Sequence, residues 1–254
     1  MVSVGDASSA NKRSDFATEG GIVGLAEDRV QRVEGDKNDF LTDDLVKKLG
    51  GKLHIYIGSS QKSKRVSHST SHAETLSAAK FIPTAQLAAI RLTEPEIVTR
   101  LGKRSKPLAL LEVQEEALCP LPVDAYVDCM DLWDLACGVK GMPQDKSQRL
   151  GVLAIREERR SLRLRRLYHL RTRYMLADML TKATGVDSRS LLELVSSGHW
   201  TIDSDVRCRE GFGIGYKNNE VQHAWLVHPD PEEALKRTFP NTHTTLHLLF
   251  ASEI

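Results

Sequence analysis

Apolar and polar positions alternate with period two in the early part of the chain. Val2 and Val4 alternate with small or polar neighbours up to Asp6, Gly21–Leu25 is a short apolar run, and Leu53–Ile57 interleaves His54 and Tyr56 before Gly58-Ser59-Ser60. These runs predict three short strands. A short helix is expected at Leu41–Leu49, inside a polar insert. From Ser71 to Leu92 the period lengthens, with Leu76, Ala79, Leu87 and Ile90 at helical spacing; Pro83 is expected to kink or divide this helix.

Downstream, the apolar run Leu108–Val113 lies in a connection, and Ala125–Asp128 reads as a fourth strand ending in an acid. Asp131–Cys137 reads as a short helix closed by Gly138, Ser147–Ser161 as a basic amphipathic helix, and Leu162–Leu170 as the last strand. Helices are then expected at Tyr174–Lys182 and Ser188–Ser196, the second closed by Gly198. Beyond Trp200 the pattern weakens into loops with at most one hairpin. The order β-β-β-α-β-α-α-β-α defines a mixed α/β fold whose leading strands form a meander before a crossover. The division expected is a domain over 1–200 and a C-terminal extension of unassigned role over 201–254.

Composition narrows the class. Of 254 residues, 41% are hydrophobic and 27% charged, which suits a globular core rather than a disordered chain. No run approaches the ~18 unbroken apolar residues of a membrane span, so no membrane association is expected. Residues 1–15 lack a basic start followed by an apolar stretch, and the four cysteines, Cys119, Cys129, Cys137 and Cys208, include no C-x-x-C pair. An intracellular, reducing compartment is therefore expected, with cytoplasm and nucleus equally open. The net charge of +1 conceals segregation: ten Lys and Arg fall between Lys146 and Arg173, opposed only by Glu157 and Glu158. A concentration of cations of this kind can bind a polyanion locally, although it also describes a solvated helix face.

Four acids occupy positions that such a fold can bring together: Asp6 at the end of the first strand, Glu74 in the first turn of the long helix, Asp128 at the end of the fourth strand, and Asp178 in the short helix after the last strand. Clustered carboxylates repel one another unless a cation sits among them or some hold protons. An all-oxygen donor set favours Mg²⁺ or Mn²⁺ over Zn²⁺. Two such ions, about 3.5–4 Å apart, stabilise both the attacking and the leaving oxygen in phosphodiester hydrolysis.

Taken singly, each acid has a plainer explanation. Glu74 completes a Ser71-x-x-Glu capping box, Asp178 is a first-turn helix acid, and Asp131, a rival to Asp128, fits a helix N-cap. Tyr126-Val127-Asp128-Cys129 lacks the second acid of a polymerase hairpin, and Gly211-Phe212-Gly213-Ile214-Gly215 lacks the strand-to-helix setting of a phosphate loop. His243 and His247 have no companions at metal spacing. His169 and His199 are candidates only for assisting product release.

The combination carries more than its parts. Lys64-Arg65-Val66-Ser67-His68-Ser69-Thr70-Ser71-His72-Ala73-Glu74 resembles the S-T-x-x-A-E segment of RNase H domains at the C-terminal end of copia-type retrotransposon polyproteins, and Leu176-Ala177-Asp178-Met179-Leu180-Thr181-Lys182 resembles their L-A-D-x-L-T-K signature. Asp6-Ala7 matches the opening D-A, Tyr126-Val127-Asp128 the third acid, and the basic helix ending at Ile155-Arg156-Glu157 the stretch between motifs. Cys129 departs from the Asn usual after the third acid. The resemblance, over roughly residues 1 to 200, implies an RNase H-like mixed five-stranded sheet flanked by helices. It also implies a Mg²⁺-dependent endonuclease, served by two ions for which Mn²⁺ can substitute, that cuts the RNA strand of RNA–DNA hybrids. Asp6 would bridge both ions, Glu74 and Asp128 would serve one and Asp178 the other. Arg163, Arg165 and Arg171, the cations nearest Asp178 in sequence, are the expected backbone guides. A reverse transcriptase portion of the parent polyprotein is the expected partner. The alternative is a catalytically decayed module of the same fold that binds nucleic acid without cutting it.

Overall fold

The period-two runs at the start of the chain pair as a meander. In the computed structural model, which describes residues 1–8, 16–27, 40–101, 121–182 and 189–211, β1 (Val2–Ser8) pairs antiparallel with β2 (Phe16–Ala26), and β2 pairs antiparallel with β3 (Gly51–Val66). A crossover through α2 (Thr70–Leu101) then returns the chain to the other side of β1, where β4 (Asp124–Val127) pairs parallel with it. A second crossover, through α3 (Met130–Cys137) and α4 (Lys146–Arg160), leads to β5 (Arg166–His169), which is parallel to β4. The four-residue α1 (Asp43–Val46) precedes β3 and is shorter than the sequence pattern suggests.

The sheet has seven strands, not five, in the order β6-β3-β2-β1-β4-β5-β7. The two additional strands, β6 (His199–Trp200) and β7 (Arg207–Glu210), join β3 and β5 at the two edges. They are too short to carry an alternating signal and form by pairing with edges that already exist. Residues 1–211 form one compact unit and 212–254 a second, so β7 belongs to the first. All described residues lie in that first unit. The run Leu108–Val113, Gly213, Gly215, and the pair His243 and His247 fall outside them.

Both faces of the sheet are covered. On one, Phe81, Ile82 and Ala85 of α2, Trp133 of α3 and Ile155 of α4 pack against Val23, Ala125, Val127 and Leu167. On the other, Trp200 and the segment 174–177 cover Val4, Ile22, Tyr126 and Tyr168, whose tyrosine rings stack at 4.6 Å. This burial explains why α2 continues through Pro83. A mid-helix proline costs about 3 kcal/mol, whereas full burial of Phe81 and Ile82, each 1% exposed, returns ~1.5–3 kcal/mol apiece. The expected helix over 174–182 is in fact broken into a 3₁₀ turn, Thr172–Tyr174, and the single-turn α5 (Asp178–Thr181), because Met175, Leu176 and Ala177 are drawn into the core between them. The helix α6 (Arg189–Ser197) ends as expected at Gly198, where φ is 73°. Among the described residues no helix is long and apolar enough to cross a membrane.

Candidate metal centre

Parallel pairing of Val4 with Tyr126 places Asp6 and Asp128 level on neighbouring strands, roughly 4.8 Å apart in the pairing direction. Asp6 is also in register with Gly20 of β2. A Cβ at Gly20 would lie 2.5 Å from Thr181 Cγ2 and 2.9 Å from Leu180 Cβ, so the missing side chain is what lets α5 lie against the sheet beside Asp6. That close approach brings Asp178 to the other two acids. Carboxylate oxygens of Asp6, Asp128 and Asp178 all lie within 4.8 Å of one another, and the group can hold a metal ion.

Glu74 approaches from α2, on the opposite face. Its Oε1 accepts a hydrogen bond of 3.2 Å from the Ala7 backbone N–H, and so does not close a capping box with Ser71. Oε2 is buried and has no hydrogen-bond partner among the described residues. Burial, and then the charges of Asp6 and Asp128, push the Glu74 carboxyl up to about 10. The same causes, burial first and then Asp6, raise Asp128 to about 6, against a lowering contribution from the Thr172 hydroxyl. Burial also raises Asp178. Burial and mutual repulsion raise three of these acids, and a carboxylate cluster of this kind is a donor set that could hold a cation. The donors are oxygens alone, the set that suits a hard divalent ion.

Two residues of the centre were hidden in the sequence motif. The Thr181 hydroxyl donates to Asp6 Oδ2, and the Lys182 ammonium pairs with Asp178 Oδ1. Lys182 follows Asp178 by four positions, a spacing that pairs opposite charges on a helix and could have been read from the motif. Cys129 caps α3 next to Asp128, and burial pushes its thiol up to about 11, so it is an inert neighbour. Asp131 is not the cap of α3; it pairs with Lys140 at 2.9 Å on the surface. His169 lies close to the centre, with Nε2 3.1 Å from the Asp128 carbonyl oxygen, and burial lowers its pKa. His199 pairs with Lys52 near the start of β3, at the other end of the sheet.

The basic segment is mostly engaged within the fold. Arg156 and Arg159 donate to the Leu135 and Ala136 carbonyls, which closes the C-terminus of α3. Arg163 grips Glu158 with two hydrogen bonds, and Arg165 grips Asp124 likewise, at 2.9 and 2.6 Å. Both precede β5, whereas Asp128 follows β4, so the length of the strands, about 13 Å, separates them from the acids. Arg171 alone of the three expected guides lies at the site's end of β5; it is exposed and paired with Asp205.

Two predictions follow from these contacts. Arg165→Ala leaves a nine-tenths buried Asp124 without its cation and is expected to cost about 3 kcal/mol in stability, measurable by urea unfolding. The second concerns pH. Folded Glu74 and Asp128 retain protons that unfolded carboxyls release near pH 4. The folded chain thus binds more protons, and metal-free stability falls as pH rises, from about 4 to 6 through Asp128 and on toward 10 through Glu74. Thermal melts in EDTA across this range test the slope, and calorimetry in buffers of different ionisation enthalpy is expected to show protons released when Mg²⁺ or Mn²⁺ binds.

Comparison with models of protein families, with curated proteins and with solved structures finds no match to this chain.

Proposed function

We propose that the chain is a metal-dependent endonuclease of RNase H type that hydrolyses the RNA strand of RNA–DNA hybrids and derives from a copia-type retrotransposon polyprotein, where a reverse transcriptase portion would be its partner. One observation carries this reading: acids taken from separate motifs, Asp6, Asp128 and Asp178, meet at a single point with Glu74 beside them. The topology supports it as well. Five of the seven strands, in the order β3-β2-β1-β4-β5, are compatible with the mixed sheet that the resemblance implies, with β6 and β7 at the edges.

Asp6, Asp128 and Asp178 would hold Mg²⁺, with Mn²⁺ as a substitute and Glu74 completing a two-ion set. When bound, these ions neutralise charge on the scissile phosphate and make water nucleophilic at neutral pH. The chain's own residues prepare the site. Thr181 orients Asp6, the Ala7 N–H fixes one oxygen of Glu74, and Thr172 steadies Asp128. Packing of α5 over Gly20 excludes water from the side of the sheet. Glu74 stores a proton at neutral pH and can give it up only as positive charge enters the site.

The second reading, a binding module that has lost catalysis, is favoured by Lys182, which neutralises Asp178 without any metal. A hybrid labelled separately on each strand distinguishes the two. RNA-strand cleavage in Mg²⁺ or Mn²⁺ that EDTA stops supports the nuclease, salt-sensitive binding without cleavage selects the module, and the absence of both behaviours contradicts both readings.

A further inference from the structure

We propose that the distal half of β3, through Lys62, Lys64 and Arg65, is the surface that seats the phosphate backbone of the RNA–DNA hybrid beside the acids; the assignment rests on the nuclease reading above. A cluster of carboxylates repels a polyanion, so a nuclease of this kind needs cations within a few nucleotides of the cut that are not already neutralised. Most arginines of the basic segment do not meet that need: Arg159, Arg163, Arg165 and Arg166 are held by main-chain carbonyls, Glu158, Asp124 and Glu210, Arg171 pairs with Asp205, and the exposed Arg160 precedes β5, at the end of the strands away from the acids. Lys62, Lys64 and Arg65 do. All three are exposed, and among the described residues none forms an ion pair. The Lys62 ammonium rests 4.8 Å from the centre of the Phe16 ring, a contact that orders the side chain and leaves its charge available. Glu19, the nearest acid on β2, is buried and its charge acts on Lys80.

Register fixes the location. Asp6 pairs with Gly20 and Gly20 with Ser60, whose hydroxyl donates to the Leu180 carbonyl of α5. Lys62 lies two positions farther along β3, opposite Thr18. Two strand spacings and two residues put it about 12 Å from Asp6, or three to four nucleotides at ~3.4 Å each. Arg65 acts electrostatically on His72 and Lys64 on Lys80, both on α2, the helix that carries Glu74, so the cations fan around the acidic end of the sheet. Among the described residues no strand pairs with the outer edge there, since β6 pairs only with Gly51 and Lys52. A duplex can approach that edge without displacing any strand among the described residues.

The test is binding, read apart from cleavage. A labelled hybrid about two helical turns long is titrated in EDTA with the intact chain, with Lys62→Gln/Lys64→Gln/Arg65→Gln, and with Arg163→Gln. The triple variant is expected to bind at least about tenfold more weakly near 0.1 M salt, and its slope of log K against log salt to be shallower by roughly 2–3, as loss of three phosphate contacts requires. Arg163→Gln is expected to bind as the unaltered chain does, and the triple variant to melt as the unaltered chain does. Unchanged affinity and slope in the triple variant overturn the assignment. So does unchanged affinity with new self-association, which would make these cations guards of an open strand edge. If the unaltered chain cuts hybrid while the triple variant binds it equally well, only the β3 surface fails. If the unaltered chain neither binds nor cuts, the nuclease reading fails with it.

Discussion

Asp6→Asn is expected to reduce hybrid cleavage by roughly 10³-fold or more, the scale set by losing one group that stabilises transition-state charge, and yet to make the metal-free chain more stable. Asp6 is 1% exposed and lies beside Asp128, Asp178 and Glu74. Its charge raises all three neighbours, which is the signature of repulsion. Asparagine keeps an oxygen to accept from Thr181 and removes the charge. At an effective dielectric near 20, relief of that repulsion is worth about 1–2 kcal/mol once the protons already held by Glu74 are allowed for, or a few degrees in melting temperature. Melting in EDTA alongside cleavage in Mg²⁺ checks both halves. Loss of activity together with loss of stability would make Asp6 a structural residue, and undiminished cleavage would remove it from the site.

Lys182→Met is expected to have the opposite signs. Lys182 is the internal cation of the metal-free centre; its ammonium holds Asp178 and its own pKa is raised by that contact and by Asp6. Taking it away leaves a carboxylate only 6% exposed without a counter-charge. A fully buried pair broken this way costs ~3–5 kcal/mol. Lys182 is one-third exposed, and solvent screening reduces the cost to about 1–3 kcal/mol. Metal affinity moves the other way, because a divalent ion no longer competes with the ammonium for Asp178. Unfolding in EDTA should therefore show a weaker chain, and calorimetry tighter Mn²⁺ binding, than the unaltered protein gives. Unchanged metal affinity would place Lys182 outside the centre.

The acids were legible in the sequence because each lies in a local pattern: Asp6 and Asp128 on short apolar strands, Glu74 and Asp178 in first turns of helices. The meander and the crossover that follows it were legible for the same reason. The unread features depend on distant partners. Arg165 is an exposed-looking cation until its pairing with Asp124, forty-one positions away, is seen. The two-residue β6 exists only because β3 offers an edge, and α2 survives Pro83 only because its neighbours are buried. Gly20 gives no local hint that it makes room for α5. The distal half of β3 is marked in sequence only by polar residues, since its side chains there are mostly exposed and give no apolar face to alternate with.

Equilibrium binding of Mn²⁺ to the purified chain, followed by its paramagnetic signal and repeated with Asp128→Asn, tests most directly whether these carboxylates form a metal centre. The account predicts saturable binding that tightens as pH rises through 6 and that Asp128→Asn weakens severely without unfolding the chain. Absence of binding in the unaltered protein, or equal binding in the variant, would contradict it.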